Sequence, residues 1–134
     1  EVSAFIIAGT NSGCGKTTIA ELLLKTLKGN WGALKYTKTS LYIAVSDETE
    51  DPPKGKDTYR MKKAGAKKVI RIQSPEDRLE EPVQIALRLM ADCDGIIAEG
   101  NSLVEFLNPD IVIFVWGQDI DKIESSAKRL FKTL

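Results

Sequence analysis

The sequence contains no histidine and only two cysteines, Cys14 and Cys93. The lack of histidine excludes a histidine general base, a histidine metal site and a Ser-His-Asp triad. Any metal ion should therefore be a hard cation such as Mg²⁺, held by oxygen ligands and phosphates. Two cysteines without a Cys-x-x-Cys motif form no disulfide framework, so we expect a reducing, cytoplasmic location.

The chain also lacks a long hydrophobic run and an excess of charge of either sign. No apolar run approaches the ~18 residues of a membrane-spanning helix. Because 19 basic residues balance 19 acidic ones, composition gives no reason to expect nucleic acid or a membrane as a partner. The apolar segment 2–9 follows no basic residues, which favours a first strand over a signal peptide.

Solid apolar runs, typical of strands buried on both faces, alternate with segments of helical spacing. This pattern predicts an α/β fold, namely a three-layer P-loop NTPase-like domain with a mainly parallel sheet. Buried strands are predicted at 4–8, 33–37, 67–73, 95–98 and 111–116, with a short extended piece at 41–45. Helices are predicted at 17–28, 57–64, 81–92 and 119–134, and the proline-broken segment 47–56 is predicted to be a mobile loop.

A glycine-rich segment, residues 9–18, lies between the first predicted strand and helix. This context is typical of a Walker A loop, whose backbone N–H groups and helix N-terminus hold phosphates. Lys16 is expected to reach the β- and γ-phosphates, and the hydroxyl of Thr17 to ligate Mg²⁺. The first glycine is shifted by one position, from position 10 to Gly9. Nucleotide contacts are predicted at Asn11, Ser12, Gly13, Cys14, Gly15, Lys16, Thr17 and Thr18, within a single nucleotide-binding domain over 1–134.

A second acidic site is predicted at the end of a buried strand, on the edge of the sheet that carries the phosphate loop. Glu99 directly follows the predicted strand 95–98, and we expect it to act with Lys16 in catalysis and with Thr17 in binding Mg²⁺. The alternative is that Glu99 is a surface glutamate without a role in the site. Asp119 offers a second possibility, either as a reader of a guanine base or as a helix N-cap.

Residues 55–66, Gly-Lys-Asp-Thr-Tyr-Arg-Met-Lys-Lys-Ala-Gly-Ala, resemble a characteristic segment of the MobB family, molybdopterin-guanine dinucleotide biosynthesis protein B. The resemblance implies an accessory protein of molybdenum-cofactor biosynthesis that binds GTP or ATP, with GTP preferred, and hydrolyses it weakly. It further implies a biosynthetic enzyme as a partner and a homodimer as the oligomeric state. It also implies that Asp57 and Arg60 lie near the nucleotide or the sheet edge; the alternative is helix capping by Asp57 and a solvated face for Arg60.

The shifted position of the first glycine instead resembles the phosphate loop of dethiobiotin synthetase and its relatives. Those enzymes also have a lysine after the second strand, where this chain has Lys35 and Lys38. The alternative function is therefore an ATP-dependent, carboxylate-activating synthetase, although 134 residues leave little room for a second substrate pocket. A phosphate-binding module without chemistry is a third possibility. Two positions depart from the MobB pattern: residues 36–40 replace its usual histidines, and Asn101 follows Glu-Gly where an aromatic residue is usual.

Overall fold

The computed structural model describes residues 2–11, 13–118 and 123–133, and within these ranges six strands form one sheet. The strands are β1 (Ser3–Gly9), β2 (Trp31–Lys38), β3 (Ala44–Asp47), β4 (Val69–Ser74), β5 (Gly95–Glu99) and β6 (Ile111–Val115). Their order is β3-β4-β2-β5-β1-β6, and every neighbouring pair is parallel except β3 and β4. The predicted α/β fold with a mainly parallel sheet is confirmed.

Helices cover both faces of the sheet, which gives the three layers. Within the described ranges they are α1 (Lys16–Thr26), α2 (Asp57–Lys63), α3 (Glu80–Leu89), α4 (Val104–Leu107) and α5 (Ser125–Thr133). Apolar residues of α1 and α2 share one buried cluster with Ile7 and Ile97 of the sheet. Residues of α3 and α4 share the other with Ile6 and Ile96. Alternate residues of β1 and β5 therefore face opposite layers, as the two-residue period of a strand requires.

Three predicted elements differ from the structure. Strand β6 is an edge strand whose Ile111 is 48% exposed, so the prediction of a buried strand there was wrong. The extended piece predicted at 41–45 begins later, because β3 starts at Ala44. The last helix begins at Ser125 rather than at 119, and Asp119, with both of its predicted roles, lies outside the described residues.

Parallel pairing brings the functional side chains to one edge of the sheet. Glu99, the last residue of β5, is level with Ile7 of β1 and with Lys35 of β2. Level residues on neighbouring strands project to the same face, so Lys35 and Glu99 come together. In the ranges that the structure covers, no helix is long and apolar enough to cross a membrane.

Candidate functional site

The phosphate loop joins β1 to α1 through two glycines with left-handed backbone conformations. Gly13 has φ 78° and Gly15 has φ 106°, values that residues with a Cβ rarely adopt. Gly15 occupies the N-cap position of α1, and no side chain of the described residues caps that helix. The first N–H groups of α1 therefore remain available to an anion, and the helix dipole favours negative charge there.

Packing explains why the first glycine of the loop lies at position 9. A Cβ at Gly9 would come within 2.4 Å of the Cys14 Sγ and 3.1 Å of the Lys16 side chain, so the loop folds directly over this residue. Thr10, where the usual pattern has glycine, is fully buried, and its hydroxyl accepts a 2.8 Å hydrogen bond from the N–H of Gly117. The threonine thus ties the phosphate loop to the segment that follows β6.

Glu99 lies at the centre of the site and is 1% exposed. Its carboxylate accepts a 2.7 Å hydrogen bond from the Thr17 hydroxyl and forms an ion pair with Lys35. The alternative of a surface glutamate was therefore wrong. Burial alone would lower the pKa of Lys35, but the carboxylates of Glu99 and Asp57 outweigh it and raise that pKa, so Lys35 stays protonated at neutral pH.

Asp57 belongs to the same cluster. Its carboxylate lies 3.1 Å from the Lys35 ammonium, while Lys56 occupies the N-cap of α2, so the predicted capping role was wrong. Burial would raise the pKa of Asp57, but Lys35, Thr17 and Arg60 outweigh it and hold that pKa below its usual value. The Asp57 carboxylate is therefore ionised at neutral pH, and it adds a second negative charge beside Glu99.

Arg60 extends from α2 over the first turn of α1. Its guanidinium donates hydrogen bonds of 2.5 Å to Glu21 and 3.2 Å to the Thr18 hydroxyl. The alternative of a purely solvated Arg60 was also wrong. Sequence reasoning considered Asp57 and Arg60 only through the family resemblance, because their partners lie far away in the chain and no local pattern reveals them.

These side chains enclose a first cavity of about 290 Å³. Its lining residues are Gly13, Gly15, Lys16, Thr17, Thr18, Lys35, Asp57, Arg60 and Glu99. Six of the predicted site residues thus meet in one place. Cys14 faces Gly9 and Gly117 instead, Asn11 lies beside Gly117, and Ser12 is outside the described residues.

The donor set of the first cavity suits a hard cation that shares its ligands with phosphate. The Thr17 hydroxyl and the carboxylates of Glu99 and Asp57 are oxygen ligands of the kind that Mg²⁺ prefers. Among the described residues, no group of three or more His, Cys, Asp or Glu side chains is placed to hold a metal ion. A cation in the first cavity would therefore also need oxygen ligands from the Thr17 hydroxyl and from phosphate.

A second cavity of about 420 Å³ lies beside the first and shares Lys16 and Lys35 with it. Its other lining residues are Tyr36, Thr37, Lys38, Glu76, Gly100, Asn101, Ser102, Glu124, Ser125 and Ser126. The chain thus contains a second cavity, although its length was expected to leave little room for a second substrate pocket. The cavity forms between the carboxyl ends of β2 and β5 and the start of α5, so it needs no additional domain.

Asn101, one of the two departures from the family pattern, connects this cavity to the phosphate loop. Its amide accepts a 2.8 Å hydrogen bond from the N–H of Gly9 and donates one of 2.9 Å to the Gly9 carbonyl. The same amide nitrogen donates a 3.0 Å hydrogen bond to the Ser126 hydroxyl. An aromatic residue at this position could not make these bonds.

A buried strand, a glycine-rich loop and a helix that begins with Lys16-Thr17 define the class of P-loop NTPases. The model of the MobB family, described as molybdopterin guanine dinucleotide synthesis protein B, matches residues 4–122. The chain therefore belongs to this family, which assigns it to molybdopterin guanine dinucleotide synthesis and confirms the resemblance of residues 55–66. No curated protein and no solved structure matches the chain.

Proposed function

We propose that the protein binds a nucleoside triphosphate with Mg²⁺ in the first cavity and serves as an accessory factor in molybdenum-cofactor biosynthesis. The observation that carries the proposal is the buried 2.7 Å hydrogen bond between Thr17 and Glu99 at the base of the phosphate loop. It joins the hydroxyl that ligates Mg²⁺ in P-loop proteins to a carboxylate at the end of a neighbouring strand. The ionised Asp57 faces the same point.

Each residue has a role in this proposal. The loop N–H groups from Gly13 to Thr18 bind phosphate oxygens, and Lys16 binds the β- and γ-phosphates. In the described part of the chain no carboxylate forms an ion pair with Lys16, which leaves its ammonium for the nucleotide. Thr17, Glu99 and Asp57 hold Mg²⁺, which when bound neutralises charge on the phosphates.

We expect weak hydrolysis without a partner. Glu99 and Asp57 are both ion-paired to Lys35 and both support Mg²⁺ in this proposal, so neither carboxylate is left to act as a general base for an attacking water. The protein would then present its nucleotide, preferably GTP, to a molybdenum-cofactor biosynthesis enzyme. In this proposal it acts as a homodimer. Cys14 and Cys93 are both free thiols, which supports a reducing cytoplasm as the location.

The second cavity favours one alternative, an ATP-dependent synthetase that activates a carboxylate. Such an enzyme needs a site for its acid beside the terminal phosphate, and the second cavity shares Lys16 with the phosphate cavity. Turnover of ATP that appears only when a small carboxylic acid is added would support the synthetase. Turnover that does not change on adding acids would support the accessory role.

Equilibrium binding of fluorescent GTP and ATP, with and without Mg²⁺, tests the proposal. We expect micromolar-range binding that strengthens with Mg²⁺ and weakens at least tenfold in Lys16→Ala, because a charge-assisted hydrogen bond to phosphate contributes about 1.5–3 kcal/mol. Lys28→Ala is the matched control, since Lys28 lies beyond the carboxyl end of α1, far along the helix from the loop. Absence of binding to either nucleotide would refute the proposal.

A further inference from the structure

The second cavity lies on the terminal-phosphate side of the nucleotide site. Lys16 and Lys35 line both cavities, so the two spaces are neighbours. In a P-loop the lysine contacts the β- and γ-phosphates. A molecule in the second cavity would therefore approach the γ-phosphate rather than the base or the ribose. This placement depends on the proposed function, whereas the cavity itself does not.

Four serine and threonine residues, Thr37, Ser102, Ser125 and Ser126, contribute hydroxyl groups to the lining of the second cavity. The oxygen of Ser126 accepts a hydrogen bond from Asn101, which leaves its own proton free to donate to a ligand. The aromatic residue in the lining, Tyr36, is only 8% exposed, and its hydroxyl donates to the carbonyl of Ser74. The cavity thus suits a ligand with many hydrogen-bond acceptors and offers little surface to a planar or apolar one.

The charges of the second cavity allow it to bind an anion. Three lysines and two glutamates line it, and Lys35 is already neutralised by Glu99. Lys38 lies 3.1 Å from Glu76, but Glu76 is also paired with Arg129. Lys38 can therefore turn to a ligand without leaving a carboxylate unpaired, and its side chain is 68% exposed and free to move.

We propose that the second cavity binds a small phosphate monoester beside the γ-phosphate of the bound nucleotide. Lys38 and the hydroxyls of Ser102 and Ser126 hold the phosphate group. A phosphate monoester is favoured over a carboxylate because its three acceptor oxygens match one ammonium and several hydroxyl donors.

Two successive additions to the ¹⁵N-labelled chain, followed by NMR, test the proposal. Mg²⁺ with a non-hydrolysable GTP analogue is added first, and we expect it to shift the amide signals of Gly13, Gly15 and Thr18. Glycerol 3-phosphate is added second, and we expect saturable shifts at Ser102 and Ser126. If the first addition shifts nothing, the proposed function fails, and glycerol 3-phosphate alone still tests the second cavity through Ser102 and Ser126.

Variants and related probes identify the group that is recognised. Lys38→Gln should weaken glycerol 3-phosphate binding about tenfold, the effect of losing one charge-assisted hydrogen bond. Lys28→Gln, the same change at the other end of the domain, should leave the binding unchanged. The proposal is overturned if glycerol or glycerate binds as tightly as glycerol 3-phosphate, if Lys38→Gln behaves like Lys28→Gln, or if the second addition shifts only residues 13–18.

Discussion

Thr17 and Glu99 are joined by a buried hydrogen bond of 2.7 Å although 82 residues separate them in the sequence. The bond fixes the first turn of α1 against the end of β5. On the other side of Glu99, Lys35 neutralises the carboxylate and connects it to Asp57. The cluster therefore holds the side chains of Glu99 and Asp57 in position before any nucleotide arrives, which reduces the reorganisation needed for binding.

Glu99→Gln should weaken the Mg²⁺ dependence of nucleotide binding. Glutamine keeps an oxygen that can accept from Thr17 but loses the negative charge near the cation, and altering groups that support a metal ligand typically costs about 10- to 100-fold in metal affinity. Titration of Mg²⁺ at fixed GTP measures the effect, and Glu105→Gln, at an exposed position, is the control. Unchanged Mg²⁺ dependence in Glu99→Gln would show that this carboxylate does not support the cation.

Substitutions of Arg60 and Glu21 should affect nucleotide affinity differently, although the two side chains form one ion pair. Arg60 lines the first cavity but is held by Glu21 at 2.5 Å. Arg60→Ala should weaken GTP binding about tenfold, the value of a charge-assisted hydrogen bond to phosphate. Glu21→Gln releases the guanidinium and should leave affinity equal or higher. Equal losses in the two variants would mean that the pair only supports the packing of α2 on α1.

Gly9→Ala should destabilise the protein and impair nucleotide binding. The added methyl group would lie 2.4 Å from the Cys14 Sγ, and overpacking of this kind typically costs about 1–3 kcal/mol. Urea unfolding of Gly9→Ala, Cys14→Ala and the double variant measures the coupling. Because Cys14→Ala removes the clashing sulfur, the double variant should recover part of the loss; strict additivity would contradict a steric origin for the shifted glycine.

Tyr36 should make stability fall at alkaline pH. Burial, and to a lesser extent the nearby Asp77, raise the pKa of Tyr36 from 10.0 to about 12. The unfolded chain therefore loses this proton first, so the stabilising effect is complete below pH 10 and is lost between about pH 10 and 12. The change amounts to about 3 kcal/mol, since each pKa unit corresponds to about 1.4 kcal/mol.

Urea unfolding of the wild type and Tyr36→Phe at pH 8, 10 and 11 isolates this effect, because lysine titrations are common to both proteins. The variant should be slightly less stable at pH 8, where it loses the hydrogen bond to the Ser74 carbonyl, which still accepts from the N–H of Thr39. Its stability should fall less steeply above pH 10. Parallel curves for the two proteins would show that Tyr36 titrates normally.

Local patterns were sufficient to predict the fold and the phosphate loop. A solid apolar run, the glycines and Lys16-Thr17 lie within residues 3–18, so strand, loop and helix follow from sequence spacing alone. Parallel pairing then implied that a carboxylate at the end of another strand would reach the loop. Glu99 was found on that basis, and the structure brings it to Thr17.

The remaining site features depend on contacts between distant residues. The role of Asp57 depends on its ion pair with Lys35, and that of Arg60 on its hydrogen bonds to Glu21 and Thr18. The spacing of residues in the sequence does not predict such contacts. The second cavity arises from the way five separate segments of the chain meet, which chain length alone does not indicate. Strand β6 was misjudged because an apolar run looks the same at the edge of a sheet as at its centre.

Asn101 makes the phosphate loop and the last helix mechanically dependent on each other. Its side-chain amide forms hydrogen bonds with the N–H and the carbonyl of Gly9 and with the hydroxyl of Ser126. If the end of β1 shifts when phosphates bind, these bonds must either break or carry α5 along. The position of the start of α5 is thus coupled to the conformation of the phosphate loop through a single side chain.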